Sequence, residues 1–173
     1  VWNNLGNALG ALRRHDEAHA AHQTALQLHQ QTGDVSGQAD VWTNLGNALG
    51  ELRRYDEAHT AHQTALQLYQ QTGDTHSQAI VWNNLGVAER NLEHYPEALA
   101  AGEKAVAMLA MEEDWARAGE AWGELATSLA KSGAEPSRVR EAWEQSAAAY
   151  TCAGDDEAAT TSRANAENPP PRD

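Results

Sequence analysis

The stretch VWNNLGNALGALRRHDEAHAAHQTALQLHQQTGDVSGQAD, residues 1–40, runs without a break into VWTNLGNALGELRRYDEAHTAHQTALQLYQQTGDTHSQAI, residues 41–80, and the two agree at 31 of 40 positions. A looser copy opens at Val81 with VWNNLG and a fourth at Ala121 with AWGELA, so Trp2, Trp42, Trp82 and Trp122 mark one strict register. Self-similarity at a fixed period means stacked units that bury a continuous core between neighbours, not one closed interior. The function of such a chain is to be sought on a repeated surface.

Within a copy the apolar residues follow a helical period. At about 100° per residue, Trp2, Leu5, Gly6, Leu9 and Leu12 fall in one stripe about 120° wide. This is helix A. After a break at Arg14 to Asp16, the residues Ala18, Ala21, His22, Ala25, Leu28 and His29 form a second stripe, helix B, so each copy is a helical hairpin. Gly6 and Gly46 in helix A, with Ala18 and Ala58 in helix B, predict a close backbone approach between the two. TGD at 32–34 and 72–74, and AGD at 153–155, supply a glycine for a left-handed helix end and an aspartate to cap the next helix. Pro96, in the place of Asp16 and Asp56, marks the first turn of helix B. In the third copy Glu112, Glu113 and Asp114 replace the glycine cap, which predicts either a strained turn or continued helix. The fourth copy is one residue longer, with the insertion in KSGAEPSR, and its helix B is expected from about Pro136 to Thr151.

The expected organisation is therefore all-α, with repeats at about 1–40, 41–80, 81–120 and 121–155, a capping helix at 156–167 and a disordered tail at 168–173. The pattern Trp2, Leu5, Gly6, Ala18, Ala25, repeated at Trp42, Leu45, Gly46, Ala58, Ala65, resembles the tetratricopeptide repeat. The 40-residue period, the NLG opening and the GD junction look most like the long-repeat branch found in kinesin light chains, Pins-like adaptors and actinobacterial multidomain regulators. The resemblance implies a right-handed superhelix, an α-solenoid with helix A on the concave face and helix B on the convex face. This chain departs from the family in carrying Leu9, Leu49 and Glu89 in place of tyrosine, and His22, His62 and Gly102 in place of a large aromatic.

Opposite the Trp stripe of helix A lie Asn3, Asn4, Asn7 and Ala11. The second copy places Thr43, Asn44, Asn47 and Glu51 there, and the third Asn83, Asn84, Val87 and Asn91. An amide offers one acceptor and two donors, which suits the N–H and C=O of an extended chain. In resembling families asparagines at this position hold peptide backbone, and that role carries to Asn4, Asn44 and Asn84. The expected partner-binding set is Asn4, Asn7, Asn44, Asn47, Asn83, Asn84, Glu51, Arg90 and Asn91. Specificity is expected from Glu51, Arg90, Asn91, Glu124 and Lys131, which vary between copies. A recurring asparagine on an exposed face is, on the bland reading, simply polar.

Other chemistries find little support. The chain carries 25 acidic and 12 basic residues, and its net charge of −13 divides as −2, −2, −5 and −4 over 1–40, 41–80, 81–120 and 121–173. Nucleic acid is thus not an expected partner, and long-range steering favours a neutral or basic ligand. Cys152 is the single cysteine, which excludes an internal disulfide and fits a reducing, cytoplasmic setting. No apolar run approaches the roughly 20 residues that cross a bilayer. His15, His19 and His22, with His59 and His62 in the second copy, invite a zinc reading. His22 and His62 fall on the packed stripe while His19 and His59 face solvent, so no metal and no cofactor are expected. No phosphate loop or paired nucleophile and base is present, so no enzyme is expected. Trp115 and Trp143 lie off the register and are read as core rather than surface anchors. The expectation is a non-catalytic scaffold that binds an extended peptide or partner segment. One alternative is the regulatory array of a larger signalling or transcription-regulating protein, since Val1 opens inside a repeat. The other is self-association through an apolar face at Val1, Trp2 and Leu5.

Overall fold

A computed structural model describes residues 1–170. Among the described residues there are nine helices and no strand: α1 (Trp2–Ala11), α2 (His15–Thr32), α3 (Val35–Glu51), α4 (Tyr55–Thr72), α5 (Thr75–Asn91), α6 (Tyr95–Met111), α7 (Trp115–Lys131), α8 (Pro136–Ala153) and α9 (Asp156–Glu167). The last three residues of the expected disordered tail lie outside the described residues. Short turns between long helices make consecutive helices antiparallel neighbours. The helical hairpins run ahead of the sequence repeat, because α3, α5 and α7 begin at Val35, Thr75 and Trp115, well before the tryptophan register marks. Each register tryptophan therefore sits mid-helix in α3, α5 and α7 and says nothing about where its helix starts.

The chain divides into two compact units, Val1–Asn84 and Leu85–Asp173. In the first, α1 packs on α2, α2 on α3 and α3 on α4, with α1 also touching α3; in the second, α6 packs on α7, α7 on α8 and α8 on α9. The core of the first unit takes Leu45, Leu49, Ala58 and Ala61 from the predicted stripes, with Trp42 against them, and Ala25 beside Leu26 and Val41, which lay outside the stripes; Leu12 and Leu28, placed in the stripes, are instead 67% and 46% exposed. The second unit is built around Leu125, Leu129, Val139, Ala142 and Trp143. Trp143 is thus a core residue. The first helix lacks such cover on one side: Leu5 is 44% exposed and Leu45, its counterpart, 5%.

The glycines of helix A act differently from expectation in the first two copies. A Cβ on Gly6 would lie 2.4 Å from the His22 ring, and one on Gly46 2.5 Å from that of His62. These notches receive an imidazole, not a backbone. Only at Gly86 does the close approach involve backbone, with Ala98 O at 3.2 Å from the position of a Cβ.

Aspartate caps appear at every B-to-A junction of the described chain. Asp34, Asp74, Asp114 and Asp155 accept from the backbone N–H of Gly37, Ser77, Arg117 and Ala158 respectively. The residue before each is left-handed: Gly33, Gly73, Glu113 and Gly154. Helix α6 ends at Met111, and Glu113 takes φ 56°, so the third junction is the strained alternative rather than continued helix. Its turn is closed by Asp114 N–H donating to Leu109 O at 3.1 Å, as Asp34 N–H donates to His29 O at 3.0 Å. The A-to-B turns repeat the device with Arg13, Arg53, Glu93 and Gly133 left-handed. A left-handed non-glycine residue costs about 1–2 kcal/mol, partly offset by the lower chain entropy it brings to the unfolded state. Glu113→Gly is therefore expected to raise stability by about 0.5–1 kcal/mol, read as a higher urea midpoint at unchanged slope. A lower midpoint would show that Glu113 makes a compensating contact.

Candidate functional site

Apart from Asn91, the predicted amides stand on α1, α3 and the first part of α5, all within the first unit. They bond to one another between successive A helices. Asn44 Nδ2 donates to Asn3 Oδ1 at 3.1 Å, and Asn84 Nδ2 donates to Asn47 Oδ1 at 3.1 Å. Each donor amide spends one N–H and keeps the other, together with its carbonyl oxygen. Asn4 and Asn7 are exposed, whereas Asn83 is half-buried with an Oδ1 that has no hydrogen-bond partner. Asn7, Asn44, Asn47 and Glu51 also line a cleft of about 410 Å³ between α1 and α3, with His22 and Arg13 in its walls.

Asn3 stood outside the predicted set, yet it is the hub of this arrangement. Its Oδ1 also meets His22 Nδ1 at 3.0 Å. Because that oxygen can only accept, the His22 proton sits on Nδ1, and burial holds this imidazole below the ordinary histidine range. The second copy has Thr43 where the first has Asn3. Thr43 turns its hydroxyl to its own helix, donating to Ala39 O at 3.0 Å, and His62 Nδ1 is left buried without a partner. The sequence signal was the asparagine-to-threonine change opposite an unchanged histidine.

In the second unit the predicted residues are engaged. Arg90, 12% exposed, donates from Nη1 to Glu124 Oε2 at 2.5 Å and to Glu124 O at 3.2 Å. Asn91 Nδ2 donates to Val87 O at 2.8 Å within its own helix. His19 and His59 are half-buried rather than facing solvent. Among the described residues no group of three His, Cys, Asp or Glu stands close enough to hold a metal ion. No helix among them is long and apolar enough to cross a membrane.

A family model described as tetratricopeptide repeat matches residues 1–71 and 37–111. The chain belongs to the tetratricopeptide repeat family. No curated protein matches it. Among solved structures it is similar to a Rap protein complexed with Competence and Sporulation Factor, at 18% identity over 94% of this chain and 45% of that one, TM-score 0.85. The tetratricopeptide chain thus spans less than half of that relative's length. It is also similar to a putative kinesin light chain of Podosopora anserina with nearly identical repeats, at 15% identity over 96% of this chain and 92% of that one, TM-score 0.73. A third is YrrB, a tetratricopeptide repeat protein with an unusual peptide-binding site, at 23% identity over 95% and 82% of the two chains, TM-score 0.56. These likenesses establish the all-α solenoid of helical hairpins.

The unpartnered histidine gives two tests of the tetratricopeptide packing. Burial pushes His62 down to about 4, with His59 adding a smaller like-charge effect. The unfolded chain protonates this ring near 6.5 and the folded chain only near 4, so between those values the unfolded state binds more protons and stability falls as pH falls. Melts at pH 7 and pH 4 should show the parent losing about 1–3 kcal/mol more than His62→Gln, which cannot titrate. Equal losses would remove the assignment. Thr43→Asn, which restores the amide opposite His62, should add about 1 kcal/mol at pH 7; a decrease would mean that the second copy cannot seat the amide as the first does.

Proposed function

We propose that this chain is a non-catalytic, cytoplasmic scaffold whose A-helix face, the concave groove of the family, binds an extended peptide or partner segment of neutral or basic character. The observation that carries the reading is the amide ladder. Asn3–Asn44 and Asn47–Asn84 hold side-chain amides of three successive A helices in fixed positions. Fixed amides with one N–H and one carbonyl still free are preorganised for a peptide backbone, which loses less ordering entropy on meeting them. The net charge of −13 favours approach of neutral or basic chains and disfavours acidic ones. Support also comes from the Rap protein, bound to Competence and Sporulation Factor, and from YrrB with its peptide-binding site.

The test is binding of a library of extended peptides to the parent and to Asn44→Ala/Asn84→Ala. Loss of both amides should weaken the peptides that the parent holds by about 1–3 kcal/mol, while circular dichroism and melting show the hairpins still folded. Unchanged affinity in a folded variant would remove the amide row from the site.

One observation favours a second reading, self-association. Trp2, Leu5, Leu12 and Leu28 present large apolar side chains that are 43–67% exposed on the first hairpin. Such a face seeks cover. Mass measured by sedimentation should then rise with concentration and become constant in Leu5→Glu. A mass already constant in the parent would exclude it.

A further inference from the structure

We propose that the cleft between α7, α8 and α9 is a second binding site, which takes an alkyl guanidinium or ammonium group. The inference goes beyond the amide row and does not rest on it, since every residue concerned lies in the second unit. The cleft has a volume of about 490 Å³ and is lined by Glu120 and Glu124 of α7, Trp143 and Tyr150 of α8, and Asp155 and Glu157 at the start of α9.

The sequence shapes this space through two glycines. A Cβ on Gly119 would stand 2.8 Å from the Tyr150 ring, and one on Gly123 3.1 Å from Cζ3 of Trp143. Without those methyl groups both rings lie against α7. The three helices are tied beneath them by Ser146, fully buried, whose hydroxyl donates to Gly119 O at 2.7 Å and pairs with the buried Ser162 hydroxyl at 2.9 Å. A cleft fixed in this way is present before any ligand arrives.

Its electrostatics are one-sided. Glu124 is neutralised by Arg90 and Asp155 is occupied as the cap of α9. Arg117, which attracts Glu120, is itself bound to Asp114 at 2.7 Å. Among the described residues Glu120 and Glu157 have no ion-pair partner. Burial, with repulsion from Glu124, holds the Glu120 carboxyl above its ordinary range. Burial first, and then Glu120, Asp155 and Glu124, raise the Tyr150 hydroxyl as well. Glu120 and Tyr150 thus both register negative charge that no cation in the cleft offsets.

A bound cation answers that field, and aromatic walls add attraction for the flat guanidinium. The space far exceeds a metal ion and admits a basic side chain with its alkyl stem. Trp143 adds a second indication. It lines the cleft, is 9% exposed, and its Nε1 is buried with no hydrogen-bond partner.

Calorimetric titration of the full chain with N-acetyl-arginine amide, and with a pentapeptide of one arginine among alanines, tests the assignment. Each ligand is paired with its neutral citrulline twin. The arginine form is expected to bind at least about tenfold more tightly than the citrulline form. Glu120→Gln, an isosteric change, should shrink that ratio to about threefold or less, and Asn44→Ala/Asn84→Ala should leave it intact. Discrimination by the free amide as well as the peptide marks a site for a free cation. Discrimination by the peptide alone marks a site for a basic side chain. Equal binding of the arginine and citrulline forms, or a ratio unmoved by both Glu120→Gln and Glu157→Gln, overturns the proposal. A failure of the amide row would appear separately, as unchanged peptide affinity in the asparagine variant.

Discussion

A missing side chain on helix A, filled by a ring from helix B, is the contact on which the first unit depends. Gly6 receives His22 and Gly46 receives His62, each at a distance that any Cβ would forbid. The notch lets a planar side chain bridge helices that are otherwise joined by alanines such as Ala18 and Ala58. Once this spacing is set, the backs of neighbouring A helices stand near enough for Asn44 to reach Asn3 and for Asn84 to reach Asn47. A larger residue at Gly6 or Gly46 would thus disturb the polar face as well as the core. Packing and the polar face of this unit are one arrangement.

The choice of histidine has its own consequence. A buried imidazole needs a partner for its N–H, and in the first copy Asn3 supplies one from the row that faces outward. The core and the polar face share an atom, Asn3 Oδ1, which accepts from both His22 and Asn44. In the second copy threonine breaks the link, and burial, with a smaller push from His59, keeps the histidine neutral. Two copies that agree at 31 of 40 positions therefore differ at the position that couples interior to surface.

What was legible in the sequence was what repeats locally. The stripes of helices A and B, the glycine and aspartate of the junctions and the insertion before α8 all follow from period and capping rules within one copy. The left-handed residues Arg13, Arg53 and Glu93 were not legible, because no glycine marks them; the geometry is imposed by the need to turn between two packed helices. The phase of the hairpins was hidden too, since the tryptophans mark burial and carry no capping signal. Contacts between copies were least visible. Asn3 with Asn44 and Arg90 with Glu124 are 41 and 34 residues apart, and only the stacking distance brings them together. Of the candidate site, residue types and the helix face could be read, but not which amides were already spent on each other.

The two units answer the same polar-face problem with different chemistry, and the difference lies in what an asparagine can do that a glutamate cannot. An amide is both donor and acceptor, so a row of asparagines satisfies itself across helices and stays neutral. Where the fourth copy replaces the row residue by Glu124, the side chain only accepts, and no neighbouring carboxylate can complete it. A cation must then be recruited, and the chain provides one internally in Arg90. That supply ends with Glu124. Glu120, one turn earlier on the same helix and facing the same cleft, adds a second charge that is attracted only by Arg117, itself bound to Asp114, and Glu157 a third. Changing a self-complementary row into an acceptor-only one thus makes the second unit dependent on positive charge, part of it built into the chain and part left to come from outside.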